Sequence, residues 1–119
     1  MTNLETTVKQ FQEEFLDLLK SEYAEMFGQD VLGECPKKIT VDRLENGQVE
    51  LWFKYCGDKY CILLTPKESG VHVALIEYAA KYRGKKEIER LLEHTLPEDT
   101  DSITIDLLMQ DMIEAILEE

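Results

Sequence analysis

Cysteine is scarce and odd in number, with three in 119 residues. An odd count leaves at least one thiol unpaired, and a chain of this length buries enough surface to fold without staples. Free thiols in a reducing, cytoplasmic setting are therefore expected. Apolar runs are short, and none approaches the roughly 20 residues that span a bilayer. The opening MTNLETTVKQ has no basic stretch leading into an apolar one, so no secretory signal is read there. The phosphate-cradling and nucleophile signatures G-x-x-x-x-G-K-[ST], G-x-G-x-x-G, G-x-S-x-G and H-E-x-x-H do not occur. Repeats, low-complexity tracts and linkers are missing as well, so residues 1–119 read as a single α+β domain.

Positive charge is the next shortage. Thirteen bases face 25 acids, a formal charge of −12. Residues 1–34 are net −6 and residues 95–119 net −8 without a single base, while the stretch between is close to neutral. Such a field repels nucleic acid and anionic membranes and speeds association with basic proteins. A plain solubility role for the charge is the competing reading.

Leu4, Val8, Phe11, Phe15, Leu18, Leu19 and Met26 follow helical spacing. Thr2 and Glu5 are placed as a capping box, and Gly28 is placed to end the helix. Glu13, Glu14, Asp17 and Glu25 fall off the apolar stripe. The period then changes to two. KITVDRL and QVELWFKYC flank Glu45-Asn46-Gly47, and a three-residue loop with Gly47 in the bulge position pairs Val41 with Leu51.

FKYCGDKYC, residues 53–61, is read as a tight turn about Gly57-Asp58 that pairs Tyr55 with Tyr60 and sets Trp52 opposite Leu63. A four-residue loop, with Cys56 facing Cys61, keeps the same faces and stays open. YCILLT and VHVALIE complete a four-stranded antiparallel meander. YAAKYRG and KKEIERLLEHTL (on Ile88, Leu91 and Leu92) read as helices, and in PEDTDSITIDLLMQDMIEAILEE a further helix follows Asp99 and Asp101 (on Ile105, Leu108, Met109, Met112, Ile113 and Ile116). The expected fold is α+β: an N-terminal helix, a four-stranded meander, and two to three C-terminal helices packed on the sheet.

Cys35, Cys56, Cys61, His72 and His94 offer metal-ligating atoms, but C-x4-C lacks the close spacing of a zinc pair, and no metal or cofactor is expected. KYRGKKEIER holds Lys81, Arg83, Lys85, Lys86 and Arg90 around Tyr82. Its bases can pair with Glu89 and Glu93 at helical spacing, so direct nucleic-acid binding is not expected. The second sheet face gathers Trp52, Cys61, Leu63 and Ile76; either one of the helices covers it, or it stands open as an interface or homodimer seam.

In size, acidity and helix–sheet–helix order the layout resembles the small acidic chaperones of type III secretion, though those insert a helix among their strands and no motif is shared. The leading expectation is a non-enzymatic module that binds a basic partner protein through Asp106, Asp111, Glu114, Glu118, Glu13 and Asp17. Inhibitors, immunity or anti-defence factors that mimic nucleic acid, and secretion chaperones all work in this way. The alternative is a small-ligand or cysteine-dependent enzymatic domain using Cys61, His72 and Trp52 on the sheet.

Overall fold

A computed structural model describes residues 4–28, 38–55, 57–79 and 87–118. Helix α1, Leu4–Phe27, buries Val8, Phe11, Phe15, Leu19 and Tyr23, a stripe repeating every three to four residues. Met26 was expected on that stripe but is 55% exposed, because Tyr23 already fills the last buried turn. Gly28 ends the helix at φ 87, its N–H donating to Ala24 O at 2.9 Å. Arg43 Nη1 and Nη2 donate to the two carboxylate oxygens of Glu5 at 2.6 and 3.0 Å, while the expected capping box rests on Thr2. Thr2 lies outside the described residues.

Five strands follow: β1 Thr40–Arg43, β2 Val49–Tyr55, β3 Asp58–Lys67, β4 Gly70–Tyr78 and β5 Glu87–Pro97. They form one antiparallel sheet in the order β1-β2-β3-β4-β5. The first hairpin matches expectation, with Val41 opposite Leu51 and Gly47 at φ 90. The second differs from both registers considered. Tyr55 pairs with Asp58, Phe53 with Tyr60 and Trp52 with Cys61, so the link runs from Tyr55 to Asp58 and Asp58 belongs to the strand rather than to the turn. Gly57 has φ 84, a conformation that costs glycine little, and placing it second in the turn advances the register without changing which face each side chain takes. Cys56 lies outside the described residues.

The larger correction is at residues 87–97, which form a fifth strand instead of a helix. Between Leu75↔Leu92 and Ile76↔Arg90 the strand carries Leu91 as an extra residue, and between Glu77↔Glu89 and Tyr78↔Glu87 it carries Ile88. Two β-bulges convert the period of two into one near three. Glu87, Arg90 and Glu93 thus share a face, and Arg90 pairs with both acids at 3.3 and 2.8 Å. The pairing of Arg90 with Glu93 exists, but on a bulged strand. The same spacing put Ile88, Leu91 and Leu92 on one imagined helical stripe, whereas Ile88 is 57% exposed. The basic segment from Lys81 to Lys86 lies outside the described residues, so one C-terminal helix is described, not two or three.

That helix, α2, Ser102–Leu117, buries Ile105, Leu108, Met109, Met112, Ile113 and Ile116, all six expected positions. Asp101 caps it: Thr104 N–H and Oγ1 both donate to Asp101 Oδ1 at 2.8 Å. Those bonds, the backbone one foremost, hold the Asp101 carboxyl below its ordinary range. Both helices lie on one face of the sheet, where their apolar stripes meet Val49, Leu51, Phe53, Tyr55, Tyr60, Ile62, Leu64, Val71, Val73, Leu75 and Leu96 in a common core. No described helix is long and apolar enough to cross a membrane.

Candidate functional site

Packing the two helices side by side on the sheet turns their polar sides outward together. Over α1 and α2 nine carboxylates face two lysines, Lys9 and Lys20. Among the described residues, Glu5 is the one helix carboxylate held in an ion pair. The structure joins the predicted partner-binding residues in two groups. Glu13 of α1 and Asp106 of α2 line one groove of about 370 Å³ together with Lys9, Gln10 and Ile103. Gln10 Nε2 bridges the helices there, donating to Ser102 O at 2.9 Å. Asp106 is half-buried and accepts from Gln110 Nε2 at 3.3 Å.

Asp111, Glu114 and Glu118 form the second group, on the outer ridge of α2. Spacings of three and four continue that ridge back through Leu107 and Ile103, which are 55% and 69% exposed. An exposed apolar pair thus leads into three exposed acids. Asp17 is exposed one turn beyond Glu13 on α1 and does not line the groove. Ile103 was missed in the sequence; its signal was the four-residue step to Leu107.

The second sheet face holds the other predicted set. Trp52, Leu63, Cys61 and Ile76 do gather there, with Ala74 and Tyr78. They differ in accessibility: Cys61 and Ile76 are fully buried, and only Trp52 and Leu63 present surface. The Trp52 ring lies 4.9 Å from that of Tyr78, with Lys59 Nζ 5.9 Å from its centroid. Its Nε1 donates to Glu50 Oε1 at 3.4 Å. Neither described helix covers this face.

Cys61 is a buried cysteine opposite Ile76 across the sheet, whereas His72 pairs with Thr65. Four residues of β4 separate those rows, about 13 Å at strand rise. His72 instead lies 3.0 Å from Thr95 Oγ1 and 3.4 Å from Glu93 Oε1. Arg90, then His72, hold the Glu93 carboxyl below its usual range through hydrogen bonds. Cys35 lies outside the described residues.

Burial, with Cys61, Glu87 and Glu50 adding, pushes the Tyr78 phenol above its ordinary 10.0. The folded chain keeps this phenol neutral where the unfolded chain releases its proton. Its contribution to stability is therefore complete below pH 10.0 and is lost as pH rises through the folded value. Thermal melts from about pH 9 to about pH 11 should show a shallower alkaline decline for Tyr78→Phe than for wild type; parallel declines would mean that this phenol titrates normally.

Comparison with protein-family models, curated proteins and solved structures finds no match for this chain.

Proposed function

We propose that the chain is a non-enzymatic, acidic protein-interaction module that captures a basic partner protein on its paired helices. The observation that carries this reading is the helix layer itself: nine carboxylates against two lysines on one side of the molecule. Beside the acids stand Ile103 and Leu107, whose exposure supplies apolar contact that charge alone lacks. Charge of this kind sets encounter rate and register, while a few desolvated apolar contacts hold the complex. An inhibitor, an immunity or nucleic-acid-mimicking factor and a secretion chaperone all use such a surface. Chemistry by Cys61 with His72 draws less support, since the thiol is fully buried and the two side chains sit on separate rows of the sheet.

The test compares wild type with a variant carrying Asp106→Asn, Asp111→Asn, Glu114→Gln and Glu118→Gln, immobilised and exposed to native lysate at low and high salt. Wild type should retain a basic protein at low salt and release it at high salt. The variant should bind that protein roughly tenfold or more weakly and with a flatter salt dependence. Its circular dichroism should match wild type, because three of these acids are exposed and Asp106 is half-buried. Equal retention by the two proteins at low salt would sink the proposal.

A further inference from the structure

A second concavity, of about 450 Å³, opens at the other end of the helix layer, where α1 and α2 terminate over the β2–β3 hairpin. Its walls include Tyr23 and Phe27 from α1, Tyr55 from β2 and Tyr60 from β3, with Asp58 and Glu77 at the same opening. The rings meet at steep angles. Tyr23 lies 4.8 Å from Phe27 at 46° and 5.8 Å from Tyr55 at 83°, so faces and edges form a corner rather than a flat stack.

Three features of this corner favour a cation. Ring faces carry negative quadrupole density, and Phe27, 52% exposed, offers an accessible one. Asp58 and Glu77 occupy the helix-bearing face: Glu77 is directly opposite Tyr60, and Asp58 is two residues before it on the same strand. Both are half-buried, an unusual place for two carboxylates beside a core. Finally, the C-terminal ends of both helices line the cavity, through Phe27 on one side and Ile116 and Leu117 on the other. Neither helix has a basic residue in its last turn to offset the negative end of its dipole. Tyr23, Tyr55, Tyr60 and Glu77 each keep partners within the chain. What they offer a cation is ring surface and negative field rather than vacant hydrogen bonds.

We infer that this cavity is the anchor pocket for an arginine side chain of the basic partner, an assignment that rests on the reading of the preceding subsection. Arginine fits better than lysine because its planar, weakly hydrated guanidinium can stack on a ring face while its N–H groups, in the guanidinium's own plane, pair with a carboxylate. The helix ridge then steers the partner, and the pocket selects one residue of it.

The probe is an end-capped Gly-Gly-Arg-Gly-Gly peptide, titrated into the full chain at low salt and followed by amide chemical shifts. Peptides carrying citrulline, the uncharged isostere, or lysine, a point charge, in place of arginine serve as comparisons. Saturable shifts at Tyr23, Phe27, Tyr55 and Asp58, at least several-fold weaker for citrulline and for lysine, are the expected result. Phe27→Ala should weaken arginine binding by about two- to fivefold, and Asp58→Asn should weaken it and flatten its salt dependence. Shifts confined to Asp111, Glu114 and Glu118 would overturn the pocket while leaving the acidic module standing. Equal binding of the lysine or citrulline peptide would overturn the selection of arginine. No shift anywhere would overturn the pocket, and joined to failure of the lysate capture it removes both readings.

Discussion

Gly70→Ala should be among the most damaging single changes in the molecule, lowering stability by about 3 kcal/mol or more and the melting point by roughly 10 °C or more. A Cβ at position 70 would lie 1.9 Å from Leu96 O, 2.9 Å from Leu96 C and 3.1 Å from Pro97 Cα. All three are backbone atoms of the partner strand, which no rotamer change can move. The φ of +149° adds a second penalty, because L side chains rarely adopt it. Relief would require β5 to draw back at the Gly70↔Pro97 pair, straining the bond from Glu98 N–H to Ser69 O at 3.1 Å and the start of α2 beyond it. Thermal circular dichroism of the variant measures the loss. A melting point within about 2 °C of wild type, less than about 1 kcal/mol, would mean that the strands do not approach this closely.

Phe15→Ala should cost about 3–5 kcal/mol in chemical denaturation, the usual range for a buried aromatic truncated to alanine. Phe15 is fully buried at the middle of α1, its ring 6.0 Å from Phe11 and 5.4 Å from Phe53. Phe53 in turn stacks on Tyr60 at 5.5 Å. Removing the ring opens a cavity between helix and sheet where neighbours on both sides are already committed to other partners. A domain of ordinary stability holds about 5–15 kcal/mol in total, so the variant would sit near the limit of folding. Leu107→Ala, on a side chain 55% exposed, should change stability by less than about 0.5 kcal/mol. A small cost at Phe15 would show that the core relaxes around the void.

Most elements are legible in the residues because one face of each is apolar. The six-residue stripe of α2 and the alternation of Val49, Leu51, Phe53 and Tyr55 need no knowledge of their neighbours. Pattern reading failed at residues 87–97 for a definite reason. Bulges at Ile88 and Leu91 lend a strand nearly the period of a helix, and only pairing with β4 tells the two apart. The hairpin register at residues 55–58 failed differently: every candidate shift moves pairs by two, leaving the apolar faces unchanged.

The candidate sites divide along the same line. Exposed acids on α1 and α2 follow from helical periodicity, as does the apolar character of the second sheet face. That Glu13 and Asp106 share a groove does not, since their helices are separated in the chain by the entire sheet. The corner of Tyr23, Phe27, Tyr55, Tyr60, Asp58 and Glu77 left no sequence signature at all, being assembled from four elements.

Composition and local periodicity, which depend on each residue and its near neighbours, are enough to establish an acidic α+β chain with an amphipathic helix at each end and a meander between. Strand five, the exposure of Trp52 against the burial of Cys61, and the meeting of two helix ends over one hairpin depend on contacts between distant segments. Those contacts are chosen by packing the whole apolar surface at once, a condition that no single window of the sequence contains.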